Sequence, residues 1–155
     1  MKIAASIAVL ATAVLSFVSA QTGPVDLANC ATGPTQLTAT SFSITPVPMC
    51  ITKPYCITAT GTLSTEIKNV DEYNATFAVT GRYLGRLIYT DNKNLCDLLA
   101  ESGQPCPIPA GPVTLKICNN LKQNLPPNIG YAFQFNSVNT DGGVIFCGSG
   151  ELIIF

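Results

Sequence analysis

Seven cysteines and not one histidine define the chemistry open to this chain. The stretch CDLLAESGQPCPIPAG (96–111) places Cys96 and Cys106 with nine residues between them. Two sulfurs at that spacing can hold a metal, form a redox couple or pin a loop. Cysteine zinc sites typically leave about two to four residues between paired ligands and complete the tetrahedron with a second pair or with histidine. Catalytic redox pairs leave about two. The spacing fits neither, so the pair reads as a disulfide closing a loop. Without histidine there is no Ser-His-Asp or Cys-His machinery. Asp71 and Glu72 are adjacent; on a strand they point to opposite faces and do not converge as a carboxylate pair. GSGE (148–151) is neither a phosphate loop nor a nucleophile elbow. The chain is read as a non-enzyme, with no metal and no cofactor expected.

The compartment follows from the first residues. MKIAASIAVLATAVLSFVSA (1–20) carries one cation, Lys2, then an apolar run, then Val18-Ser19-Ala20. That is the pattern of a secretory signal peptide, with an uncleaved anchor as the lesser alternative. It makes residues 21–155 a single domain in an oxidising compartment, where cysteines pair. The domain's net charge of −2, seven basic against nine acidic side chains, leaves no basic surface for nucleic acid or an anionic membrane. Asn74-Ala75-Thr76 is an N-glycosylation sequon.

An odd number of cysteines leaves one over. Cys50 and Cys56 bracket ITKPY and look like a local staple; Cys30 and Cys147, if joined, tie the first strand region to the last. Cys118 is left as the odd one. Sequence order alone does not choose among the possible connectivities.

The elements that must position these residues are strands. ITATGTLSTEI (57–67) sets Ile57, Ala59, Leu63 and Ile67 against threonines, serine and glutamate at period two. GYAFQFNSV (130–138) alternates Tyr131, Phe133 and Phe135 with smaller or polar residues, and PVTLKI (112–117) alternates Val113, Leu115 and Ile117. Further β-like runs are LTATSFSITPV (37–47), ATFAVTGRYLGRLIYT (75–90) and GVIFCGSGELIIF (143–155). DNKN (91–94), NLPPN (124–128) and NTDGG (139–143) read as turns between them. NLCDLLAES (94–102) has room for one helical turn. Six or seven short strands predict an all-β, antiparallel β-sandwich.

The order of the cysteines then carries a resemblance. One lies near the start, a close pair follows the first strand, a pair ends in CPI, and one sits in the last strand. FAVTGRYLGRLIY (77–89), read as one strand with two glycines four apart, lies between them. This arrangement resembles the ML lipid-recognition family, which includes Niemann–Pick-type sterol carriers and fungal phosphatidylglycerol/phosphatidylinositol transfer proteins. The resemblance implies an immunoglobulin-like, disulfide-stapled sandwich with an apolar cavity between its sheets. It implies the pairs Cys30–Cys147, Cys50–Cys56 and Cys96–Cys106, with no counterpart for Cys118. Where that family's sterol carriers are proline-rich, RLIYTDNKN (86–94) is polar instead.

The function so implied is lipid binding and transfer, of a sterol or a phospholipid, by a monomer that is secreted or retained in the vacuolar or lysosomal lumen. Its partners would be one lipid and, transiently, a membrane. Burying a lipid tail releases roughly 0.8 kcal/mol per methylene, so walls and a mouth suffice. Candidate wall residues are Val79, Ile88, Phe133, Phe135 and Phe146; Leu121, Leu125 and Pro126 fall where the family places its pocket mouth. Tyr89 and Tyr83 are candidates to face a head group, and Arg82 and Arg86 either meet a phosphate or form a solvated face. Ordinary core is the competing reading for every wall residue. The competing function is a secreted module with a filled core that binds protein or glycan.

Overall fold

The computed structural model describes residues 23–122 and 125–155. The segment 1–20, read above as a signal peptide, lies outside the described residues. Among the described residues, nine strands and one helix follow in order: β1 (Val25–Asp26), β2 (Ala28–Asn29), β3 (Leu37–Thr45), β4 (Tyr55–Leu63), β5 (Thr76–Tyr83), β6 (Arg86–Asn94), α1 (Leu95–Glu101), β7 (Gly111–Asn119), β8 (Ile129–Val138) and β9 (Val144–Ile154). They form two antiparallel sheets, ordered β1-β3-β4-β7 and β2-β9-β8-β5-β6. The two face each other as a sandwich. The chain switches sheets twice near its start, because β1 pairs with β3 and β2 with β9.

Period-two alternation sets the core. Ile57, Ala59 and Leu63 of β4, Leu115 and Ile117 of β7, and Tyr131, Phe133 and Phe135 of β8 are all buried, as their parity predicts. Phe77 and Val79 complete the inner row of β5. At one end of the sandwich lie the β5–β6 turn, the connection from β7 to β8, the segment before β4 and the end of β9. The pairings Tyr83↔Arg86, Tyr55↔Asn119 and Met49↔Ile154 place them there. At the opposite end lie α1 and the segment 64–75, fixed by Thr76↔Asn94 and Leu63↔Gly111.

Three local readings need correction. The run 75–90 is not one strand: it folds back at Leu84-Gly85, and both residues have positive φ (48° and 79°). That is a two-residue hairpin turn of the type that matches strand twist. The turn residues DNKN (91–94) instead extend β6, because Asp91 pairs with Val79 and Asn94 with Thr76. The next residues form a full short helix. The Asn94 side chain caps α1, accepting from the amides of Cys96 (2.9 Å) and Asp97 (3.4 Å). Leu95, Leu98 and Leu99 are its buried face. Seven residues are too few to show a helical period in sequence.

The cysteines pair as Cys30–Cys147, Cys96–Cys106 and Cys56–Cys118, leaving Cys50 free. The expected Cys50–Cys56 staple is therefore replaced, and Cys118 is not the odd one. Register explains why. Cys56 and Cys118 are directly opposed on β4 and β7, between the inward pairs Tyr55↔Asn119 and Ile57↔Ile117. Both thiols thus emerge on the outer face of the same sheet. Cys50 lies close in sequence, but its neighbours are drawn to the other sheet. Met49 donates to the Ile153 carbonyl (2.9 Å) and Ile51 to that of Phe155 (3.0 Å).

Candidate functional site

The two edge strands β6 and β7 belong to different sheets and leave an open side between them. Helix α1 bridges that side at one end, pinned by Cys96–Cys106 to the segment leading into β7. A cleft of about 810 Å³ occupies the opening, lined by residues of β6, α1, β7 and the 119–122 segment. Three cations, Lys93, Lys116 and Lys122, and three carboxylates, Asp91, Asp97 and Glu101, face it with Asn94, Asn119, Asn120 and Ser102. Such a lining offers donors and acceptors in balance. Ser102 Oγ is buried without a hydrogen-bond partner among the described residues. Leu121, 3 % exposed, lies at the cleft's inner margin and touches the core.

A polar network closes one end of this cleft. Asp91 follows Tyr89 on the inward face of β6 and is buried. Lys122 Nζ lies 2.8 Å from its Oδ1. Asn119 Nδ2 donates to Asp91 Oδ2 (3.2 Å) and to the Tyr55 hydroxyl (3.4 Å). Burial alone raises the pKa of Asp91, but hydrogen bonds from Lys122 and Asn119 and the charges of Lys122 and Lys93 outweigh it, so the carboxyl titrates below its ordinary range. Lys122 is correspondingly raised by its bond to Asp91. Burial raises the phenols of Tyr55 and Tyr89. The same segment is held by two inner-face tyrosines. Tyr89 Oη accepts from the Lys122 amide (3.2 Å), and Tyr131 Oη donates to the Pro126 carbonyl (2.8 Å).

Beneath the cleft the inner rows form an aromatic ladder. Gly81 lies between Tyr89 and Phe133 in one row, and Val79 between Asp91 and Phe135 in the next. Phe133 stacks on Phe135 with centroids 5.9 Å apart, Phe135 on Phe77 at 6.4 Å, and Tyr89 meets Phe133 edge-on at 6.1 Å. A Cβ on Gly81 would sit 3.1 Å from both Phe133 and Tyr89, so this glycine serves close approach inside the sandwich.

The expected wall residues thus separate into groups. Val79, Tyr89, Phe133 and Phe135 share the inner rows, and Leu121 and Leu125 are buried residues of the β7–β8 connection. Phe146 is buried too, but against Phe42 (5.1 Å) at the opposite open edge, where a second cleft of about 470 Å³ lies. Two assignments are overturned. Ile88 is 45 % exposed, because it precedes the inward Tyr89 on β6 and alternation turns it outward. Pro126 contributes its carbonyl to Tyr131 while its ring is exposed. Tyr83 packs edge-on against Tyr131 (5.9 Å) and stays partly exposed. Tyr55 of β4 meets Phe135 of β8 across the sandwich with ring centroids 5.8 Å apart, so a ligand tail lying there requires the sheets to separate.

Asp91, Asn119, Tyr55 and Lys122 had no place in the sequence reading. Asp91 was hidden by turn chemistry, although its parity with Tyr89 was visible. Comparison with known proteins adds the family. The profile of the ML domain matches residues 24–154. The chain belongs to the ML-domain family. A Niemann–Pick type C2 protein from the Japanese carpenter ant shares the fold at 14 % identity, with a TM-score of 0.59, over 83 % of this chain and 98 % of that one. No curated protein matches this ML domain in sequence.

Proposed function

We infer that this ML domain is a non-enzymatic lipid carrier. Membership of the ML family supports lipid binding in general, as does its fold, shared with a protein of the Niemann–Pick C2 type. The observation that carries the reading is the joint between a polar cleft and an apolar interior. Leu121 stands at that joint, with Tyr89, Phe133 and Phe135 behind it. A head group lies among the lysines, asparagines and Ser102, and a tail passes Leu121 to lie between the sheets over the aromatic ladder. The volume and balanced charge of the cleft exceed what a lone sterol hydroxyl needs, which favours a phospholipid with a hydroxylated head group. A sterol is the second reading, implied by the resemblance of the cysteine order to the family's sterol carriers. The protein works in the secretory lumen or outside the cell, as the three disulfides favour, and acts as a monomer touching membranes transiently. Asn74 is exposed and carries a glycan in this reading.

Leu121→Asp tests the joint. The folded variant should lose uptake of a fluorescent phospholipid. A folded Leu121→Asp protein that loads like the wild type would sink the carrier geometry and favour the filled, protein- or glycan-binding module.

A further inference from the structure

The β5–β6 turn breaks two rules at one residue. Leu84 is 85 % exposed, and it holds a left-handed backbone (φ 48°) at a turn position that favours asparagine or glycine. Nothing in the fold requires a leucine there. Its neighbours extend the anomaly: Leu87 is 50 % exposed, Ile88 45 % and Tyr83 40 %. Ile153 and Phe155, also exposed, belong to the same end of the sandwich through Met49↔Ile154 and the Ile51–Phe155 hydrogen bond. Exposed apolar residues gathered at one end mark a docking surface.

Charge identifies the occupant. Arg82 and Arg86 are the only arginines in the sequence, and they flank this turn. Arg82 Nη1 donates to the Gly85 carbonyl (3.2 Å), which leaves the rest of its guanidinium fork unused among the described hydrogen bonds. Guanidinium suits phosphate oxygens. Glu151 stands in the same row of the sheet, across Ala132, about two strand spacings or roughly 10 Å from Arg82, and forms no ion pair with it among the described residues. The sequon Asn74 sits at the opposite end, beside the start of β5, where a glycan leaves this turn unobstructed.

We propose that the β5–β6 turn is a membrane-docking tip: Leu84 and Leu87 enter the interfacial region of a phospholipid bilayer while Arg82 and Arg86 bind its phosphates. The low overall charge of the chain does not oppose this, because the fold gathers both arginines at one apolar point. The proposal takes its purpose from the carrier reading but stands on separate observations.

The test is flotation of the full protein with vesicles of phosphatidylcholine and phosphatidylserine. Leu84→Asn restores the favoured Asn-Gly turn, so it should keep or raise the melting temperature while weakening vesicle binding about tenfold or more. Arg86→Gln should weaken it about fivefold. The sequence lacks tryptophan, so Leu84→Trp supplies a lone reporter whose emission should shift to the blue with vesicles. Wild-type protein that does not float, or Leu84→Asn protein that floats equally well, would overturn the proposal. So would Leu84-dependent self-association without vesicles, which would make a second copy the occupant. Loading from soluble fluorescent phospholipid, measured in parallel, should be unchanged in Leu84→Asn. Docking without loading in the wild type would retire the carrier reading and leave the docking tip standing.

Discussion

Asp91 and Lys122 lie 2.8 Å apart and join the edge strand of one sheet to the segment leaving the edge strand of the other. The pair closes the open side of the sandwich just where the polar cleft meets the interior. The carboxylate is buried and the ammonium is largely exposed, so the bond constrains Asp91 more than Lys122. Because the folded pKa of Asp91 is lowered, its stabilisation is full above the unfolded carboxyl value, near 3.9, and is lost as pH falls through the folded value. This pair should therefore survive mild acidity. Its contribution to the melting temperature should be flat between about pH 7 and pH 5 and should fall only below about pH 4. Asp91→Asn should melt lower at neutral pH and lose part of the acid limb. Parallel pH curves for the two proteins would contradict the assignment.

The aromatic ladder is the structural core whether or not it also contacts lipid. Phe135 is fully buried between Phe133, Phe77 and Tyr55. Phe135→Ala should cost about 3–5 kcal/mol in denaturant unfolding. A loss under about 1 kcal/mol would mean the ladder is loosely packed.

Peptide mapping of the unreduced, alkylated protein should find a single modified cysteine, Cys50, and a bridge between Cys56 and Cys118. That bridge closes a loop of 62 residues. Replacing both partners with serine should cost about 4 kcal/mol in the chain-entropy account, whereas Cys50→Ser should change little. Recovery of a Cys50–Cys56 peptide would reverse the pairing.

Gly81→Val places methyl groups against Phe133 and Tyr89, which already lie 3.1 Å from the position of its Cβ. Overpacking of that kind should destabilise by about 1–3 kcal/mol and should slow lipid entry. Unchanged stability together with unchanged loading would show that the inner rows have slack at this level.

Burial and parity were legible in the sequence, because alternation at 57–67 and 130–138 writes the inner face directly. The pairing of Cys56 was not, since it depends on which strand lies opposite β4, and the alternating runs do not encode strand order. Ile88 was assigned to the wall against the parity of Val79 and Tyr89 in the same run, which already turns it outward. Leu84-Gly85 escaped notice because leucine is a poor residue for a left-handed turn. The family resemblance gave the right sandwich while giving the wrong partner to Cys56, whose pairing follows register and not proximity in sequence.

Native mass spectrometry of the oxidised protein, purified without added lipid and followed by organic extraction, tests the carrier claim most directly. The account predicts a stoichiometric adduct of one phospholipid mass, lost on extraction and regained from phospholipid vesicles. A bare protein mass, with no uptake from phospholipid or sterol vesicles, would contradict it and leave a sandwich whose interior is filled by its own side chains.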